Sequence, residues 1–233
     1  MSPVNAEPPI WPVQVVGLAH EEDPVVQAQP RAGLTAAAGE ISLLLLVSRP
    51  GVTLGSSLTR KPELVAQIRR IREIGEVRTS PIAGTVGPGG ENWLGFLAVA
   101  RMPQPCPRPL DRLTHSLRAF LEERLRPSRV RLSQGQVDGA WCPGFSDLSV
   151  EGRKLAGLGL RLTGGWGLVR GVVAVCPPGP EELAALNACH LVFGSGVNGA
   201  RLISISELPG LSGTDRDAAA RLLGGPDLAP AKM

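Results

Sequence analysis

One lysine lies on an apolar strand face, where burial could make its amine reactive. Lys154 is part of the stretch GRKLAGLGLRL, in which alternate residues of an extended strand share one face. The face that carries Lys154 otherwise consists of an alanine and three leucines. If this face is buried, desolvation favours the neutral amine, which can act as a base or nucleophile near pH 7. The structural alternative is a lysine at a strand end whose ammonium reaches water. Periodicity alone leaves both interpretations open.

The cysteines suggest neither a metal site nor a disulfide framework. Cys106, Cys142, Cys176 and Cys189 are far apart, with no C-x-x-C pair and no histidine at zinc-finger spacing. We therefore expect buried reduced thiols, no metal and no cofactor. The adjacent pair Cys189-His190 could form a nucleophile and its base, but neighbours in sequence usually point in different directions.

The elements that would position Lys154 are predicted from hydrophobic spacing. Strands are predicted at 13–19, 41–47, 76–79, 94–102, 130–132, 136–140, 148–150 and 201–205, and Lys154 lies in a hairpin that turns at 163–165. Helices are predicted at 62–75, at 110–125, from Pro180, and at 214–224 with Thr214 as N-cap, and a short or broken helix within 21–40. The segment SPIAGTVGPGGENW from Ser80 reads as a glycine-rich loop that brings backbone amides close to a ligand.

Length and composition indicate one globular domain. The 233 residues are 43% apolar, no stretch approaches the length of about 20 apolar residues that spans a membrane, and the N-terminus has no signal-peptide pattern. We predict a proline-rich tail at 1–12, a single domain at 13–224 and a flexible tail at 225–233. A cytoplasmic location is the default expectation.

The charge pattern does not favour nucleic acid. The formal net charge is +3, the arginines are scattered among acidic residues, and aromatic residues make up 3% of the chain. The richest basic region, 108–131, is either a solvated helix face or a dock for an acidic protein partner.

Several stretches, taken in order, resemble the lipoyl(octanoyl) transferases, which are relatives of lipoate and biotin protein ligases. LLLLVSRPGVTLG from Leu43 resembles the early strand and turn of that family, and RKLAGLGLR from Arg153 resembles its lysine strand. GSGVNGARLIS from Gly194 is similar to the turn that carries the family cysteine. The resemblance implies an α+β fold, a ligase-like catalytic domain with a mixed, mostly antiparallel sheet flanked by helices.

The resemblance also implies an activity. Family members accept an octanoyl group from acyl carrier protein and pass it to a lysine of the lipoyl domains of 2-oxoacid dehydrogenase or glycine cleavage complexes. Lys154 matches the family lysine, and Ser195 stands in place of the cysteine. The implied substrate-binding residues are Arg78, Thr85, Gly87, Gly89, Gly157, Gly171 and Gly196. We therefore expect an acyltransferase of the protein lipoylation pathway, with no nucleic acid or membrane as partner.

The chain departs from the family pattern at residues that carry chemistry. Besides Ser195, it has Ser48-Arg49 where the family has glutamate and histidine, and Arg170 where a histidine follows the lysine strand. Three hypotheses follow. The protein is a transferase with a Ser195–Lys154 dyad, or an ATP-dependent lipoate-protein ligase in which Lys154 serves without a cysteine. As a third possibility, it is an inactive homologue that binds an acyl group or a partner protein.

Overall fold

The fold is described from a computed structural model of the chain. The structure describes residues 9–21, 36–55, 68–69, 72, 76–80, 86–190, 196–226 and 228. The predicted helix at 62–75 falls largely outside these residues, although 68–69 and 72 are helical, and so does most of the segment 21–40. The tails proposed at 1–12 and 225–233 are likewise described only in part.

A seven-stranded sheet forms the centre of the molecule. Its strands are β1 (Val13–His20), β2 (Ile41–Val47), β6 (Trp93–Arg101), β7 (Ser133–Gln134), β8 (Leu148–Val150), β9 (Arg153–Thr163) and β10 (Trp166–Ala174), in the order β1-β2-β6-β10-β9-β8-β7. β1 and β2 are parallel, and every other neighbouring pair is antiparallel. β9 and β10 form the predicted hairpin, which turns at Gly164-Gly165 where both φ angles are positive.

A smaller, three-stranded sheet covers part of one face of the large sheet. It contains β3 (Gly51–Gly55), β4 (Glu76–Ser80) and β5 (Val86–Gly89) in the order β4-β3-β5. β3 is parallel to β4 and antiparallel to β5. β5 lies inside the stretch that sequence reasoning assigned to a glycine-rich loop. That prediction was wrong for 86–89, because the backbone of Val86 to Gly89 pairs with β3 instead of remaining open.

The helices divide between the two faces of the large sheet. The described helices are α1 (Pro109–Arg124), α2 (Pro180–His190) and α3 (Arg216–Gly224). α1 and α3 pack on one face, where Leu117 and Leu223 share a buried cluster with Phe96 and Val173. On the opposite face the small sheet and α2 bury Val172 and Ala174, which lie one residue out of step with Val173 along β10. The mixed, mostly antiparallel α+β architecture confirms the predicted fold class.

Four sequence predictions, of three short strands and one helix cap, were wrong. The backbone is not a strand at 130–132 or 136–140, since the short strand β7 lies between these segments. Leu202 makes one isolated bridge to Lys154, and a 3-10 helix follows at Ile205–Glu207, so 201–205 is not a strand. α3 is capped by Asp215, whose carboxylate accepts the Ala218 N–H at 2.7 Å, and not by Thr214.

Candidate functional site

Lys154 is completely buried, at 0% relative exposure. Its Nζ donates to the carbonyl oxygens of Trp141 at 2.6 Å and Cys142 at 3.1 Å, and it lies 2.8 Å from Oδ1 of Asp147. The ammonium also stands over the Trp141 ring, 4.5 Å from the ring centroid. The structure therefore excludes the surface alternative, because the ammonium is held by three oxygens and an aromatic face.

Asp147 is the counter-ion of Lys154, and sequence reasoning did not select it. Its side chain is 2% exposed, and its Oδ2 accepts the Gly144 N–H at 2.9 Å. Burial raises the pKa of the Asp147 carboxyl above its ordinary value, although Lys154 acts to lower it. Burial likewise lowers the pKa of the Lys154 amine, while Asp147 and Cys142 act to raise it. The lowered amine pKa makes it easier for Lys154 to release its proton, and the raised carboxyl pKa makes it easier for Asp147 to accept one.

A cavity opens between the lysine strand and the small sheet. Its volume is about 60 Å³, which is below the roughly 300–1,000 Å³ that is typical of small-molecule sites. Lys154, Asp147 and Cys142 line the cavity. Its apolar walls are Leu54, Val86, Trp141, Leu158 and Val172. The cavity thus combines an apolar lining with an amine, a carboxylate and a cysteine.

Cys142 is the cysteine that contributes to this cavity. It is half-buried, and its backbone has the left-handed φ of 40°, which is uncommon for a residue with a side chain. Its N–H donates to Nε2 of His190 at 2.8 Å, while its carbonyl accepts from Lys154. The expectation of buried thiols holds for Cys189 alone, since Cys106, Cys142 and Cys176 are partly exposed.

Cys189 and His190 do not form a nucleophile and base pair. Cys189 is 0% exposed, and burial raises its pKa to about 12. The Nε2 atom of His190 instead accepts the backbone N–H of Cys142.

A second charged cluster borders the same cavity. Arg170 lines the cavity and hydrogen-bonds Glu21, which is 4% exposed. Oε1 of Glu21 also accepts from Thr53 Oγ1 at 2.6 Å and pairs with Nε of Arg78 at 3.4 Å. Arg78 bonds Glu76 in addition, at 3.2 Å. Two guanidinium groups therefore share one buried carboxylate at Glu21.

The predicted substrate-binding residues do not all lie together. Gly87 and Gly157 line the cavity, and a Cβ atom on Gly157 would lie 3.1 Å from Nζ of Lys154. Arg78 is buried beside the cavity lining, against Glu21. Gly89 lines a separate small pocket with Trp93 and Glu182.

Gly171 and Gly196 have other surroundings, and two predicted residues cannot be placed. Gly171 faces the side of β10 away from the cavity, where a Cβ would collide with the ring of Phe96. Glycine is therefore needed there to make room for Phe96. Gly196 is exposed, in the segment where Val197 and Asn187 hydrogen-bond each other. Thr85 and Ser195 lie outside the described residues.

The basic region at 108–131 behaves as a solvated helix face where its arginines are paired. Arg108 bonds Asp111 at 2.6 Å and Arg126 bonds Glu123 at 2.7 Å, each three residues apart and exposed. Within the described ranges, no group of three or more His, Cys, Asp and Glu side chains could hold a metal ion. None of the described helices has the length and apolar character needed to cross a membrane.

Comparisons with solved structures place this fold among lipoate protein ligases. Lipoate-protein ligase A bound with ATP superposes with a TM-score of 0.60 at 11% identity, covering 92% of this chain and 82% of that one. A Thermoplasma acidophilum protein with bound lipoic acid gives 0.58 at 10% identity, covering 92% and 83%. The bi-partite lipoate protein ligase of Thermoplasma acidophilum, described with its E2 lipoyl domain, gives 0.52 at 12% identity, covering 90% and 81%. The chain has the lipoate protein ligase fold.

The sequence match to a curated protein is short. The chain is 37% identical to the Octanoyl-[GcvH]:protein N-octanoyltransferase of Bacillus velezensis over 57 residues. These residues are 24% of this chain and span about a fifth (20%) of the length of that relative. No family model matches the chain.

Proposed function

We propose that the protein is an octanoyltransferase of the protein lipoylation pathway in which Cys142 carries the acyl group. The observation that carries this proposal is that Cys142 and the buried amine of Lys154 line one cavity, with Nζ bound to the Cys142 carbonyl at 3.1 Å. A thiolate is a far better nucleophile and leaving group than a serine alkoxide. Cys142 would supply the thiol that the family has at the position of Ser195.

The reaction would proceed by two acyl transfers. The Lys154 ammonium stabilises the Cys142 thiolate, which attacks the carbonyl of an octanoyl thioester. The donor thiolate leaves and takes the proton of Lys154, whose amine is discharged more easily because it is buried. A lysine amine of the acceptor domain next attacks the Cys142 thioester to form the amide, its proton passes to the neutral Lys154, and the Cys142 thiolate leaves. Asp147, at 2.8 Å, stabilises the ammonium that exists before the first transfer and after the second.

The substrate and partners follow from the lining and from the relatives. The walls formed by Leu54, Val86, Leu158 and Val172 suit an unbranched apolar acyl chain. Acyl carrier protein is the proposed donor and a lipoyl domain the proposed acceptor. Octanoyl-[GcvH], the acyl protein in the name of the Bacillus velezensis relative, is a second donor to be tested.

The test is the site of a covalent adduct. Protein incubated with octanoyl-acyl carrier protein, and separately with octanoyl-[GcvH], is expected to gain one octanoyl mass that hydroxylamine removes at neutral pH, as it does for thioesters. Cys142→Ala should abolish the adduct and Ser195→Ala should keep it, with Cys106→Ala as the matched control. An adduct lost in Ser195→Ala and retained in Cys142→Ala would overturn the assignment of Cys142. Binding of both partners without any adduct would favour the inactive homologue.

An ATP-dependent ligase is the second candidate, and the cluster around Glu21 favours it. Arg170 lines the cavity beside Lys154 and shares the Glu21 carboxylate with Arg78, so its guanidinium could bind the phosphate of an acyl-adenylate. This function predicts octanoyl- or lipoyl-adenylate formation that requires ATP, proceeds in Cys142→Ala and is lost in Lys154→Ala. Acyl transfer that is independent of ATP would exclude it.

A further inference from the structure

His190 binds the backbone N–H of Cys142, whose carbonyl Lys154 binds. The residue ends α2, is 2% exposed, and accepts the Cys142 N–H through Nε2 at 2.8 Å. An imidazole nitrogen accepts a hydrogen bond only when it carries no proton, so the ring proton of a neutral His190 must be on Nδ1. Burial, reinforced by Lys154, lowers the pKa of His190 to about 4, which keeps the ring neutral near pH 7.

The backbone held in this way is strained. Cys142 has φ of 40°, in the left-handed region that a side chain disfavours, and such a conformation persists only when its surroundings enforce it. Here the enforcement comes from both sides of the peptide chain. Lys154 binds the carbonyls of Trp141 and Cys142, and His190 binds the Cys142 N–H.

The direction of the thiol depends on this backbone, because the Cα–Cβ bond is fixed relative to φ and ψ. If the N–H lost its acceptor, residue 142 could relax into an ordinary right-handed or extended conformation. The side chain would then leave the cavity that Lys154 lines. The hydrogen bond to His190 therefore also helps to hold the Cys142 side chain at the cavity.

We propose that His190 is a positioning residue that fixes the Cys142 thiol toward the cavity for acyl transfer. The proposal rests on the octanoyltransferase function with Cys142 as acyl carrier. His190 exchanges no proton with the substrate in this role. It acts through the N–H of Cys142.

Two amide substitutions separate this role from general packing. In His190→Gln the side-chain oxygen takes the place of Nε2 and can accept the Cys142 N–H, whereas in His190→Asn it takes the place of Nδ1 and falls short. The measurement is the single-turnover rate of Cys142 octanoylation, by mass spectrometry, with circular dichroism and Tm recorded for each variant. We expect His190→Gln to stay within about threefold of the parent rate and His190→Asn to lose about tenfold or more.

Each outcome is decisive. Equal rates in the two variants, or rates that only follow Tm, would overturn the positioning role. If neither variant folds, nitrogen NMR of the parent protein decides the question, because a protonated Nε2 on His190 cannot accept the hydrogen bond. If the parent protein forms no adduct, the proposed function fails. If it does and His190→Asn acylates as fast, the positioning role alone fails.

Discussion

Replacing Asp147 by asparagine would test whether Lys154 is a buried charge held by one counter-ion. The substitution keeps the shape of the side chain and removes the carboxylate 2.8 Å from Nζ. Removing one partner of a buried ion pair typically costs about 3–5 kcal/mol. Lys154 can limit this cost by releasing its proton. The pKa of an unfolded lysine is about 10.4, so discharging it at pH 7 costs about 4.6 kcal/mol, which sets the upper limit of the loss.

The same reasoning fixes the direction of the pH dependence. Burial already lowers the pKa of folded Lys154, and the loss of Asp147 would lower it further. Between the folded and unfolded pKa values the unfolded chain binds more protons, so the free energy of unfolding rises with pH. The slope is at most about 1.4 kcal/mol per pH unit. Asp147→Asn should therefore be least stable relative to the parent near pH 7 and recover as the pH approaches 10.

Urea unfolding followed by tryptophan fluorescence at pH 7, 8 and 9 measures this dependence. Lys154→Met gives the opposite case, because it leaves the buried Asp147 carboxyl, whose pKa burial raises, without its counter-ion. The free energy of unfolding of this variant should therefore rise as the pH falls from 7 toward 4. The double variant, Asp147→Asn with Lys154→Met, should show neither slope. A loss in Asp147→Asn that is the same at pH 7 and pH 9 would refute the buried-charge interpretation.

Three further predictions test other parts of the structure. Gly157→Ala places a Cβ 3.1 Å from Nζ of Lys154. We expect acylation to slow by about tenfold or more and the urea midpoint to change little, and an unchanged rate would contradict this geometry. Glu21→Gln removes the buried carboxylate that the guanidinium groups of Arg78 and Arg170 share and should lower the free energy of unfolding by about 3 kcal/mol. Glu123→Gln, in an exposed pair, should cost less than about 1 kcal/mol. Asp215→Ala removes the cap of α3 and should cost about 1 kcal/mol, measured as a shift in urea midpoint.

The regular parts of the fold could be predicted from sequence because burial leaves a periodic pattern. Strand β2 has the predicted bounds, Ile41–Val47, and the hairpin of β9 and β10 turns at the predicted glycines. Short edge elements have no such pattern. β5 carries two glycines and a proline and becomes a strand only through its pairing with β3, a contact that local propensity does not encode.

The site could be predicted only in part. Lys154 was found because a charge on an apolar strand face stands out. Asp147 and Cys142 were missed because they precede the lysine strand in an irregular loop, where spacing does not determine direction. Asp147 lies seven residues before Lys154 and follows a glycine turn, which is the one local signal for a carboxylate directed back at the strand. His190 was considered with its sequence neighbour Cys189, while its partner is 48 residues away.

The loop that carries Cys142 depends on the lysine for its structure as well as its chemistry. Lys154 holds two consecutive carbonyls of this loop, and Asp147 at the far end of the loop binds the same ammonium. A neutral lysine can still donate to two acceptors but attracts the carboxylate far less. The proton that Lys154 would give to the leaving donor thiolate is thus one that also holds the loop of Cys142 in place. Acyl transfer by this route would require the His190 hydrogen bond and the two carbonyl contacts of the neutral lysine to keep Cys142 in position while that proton is absent.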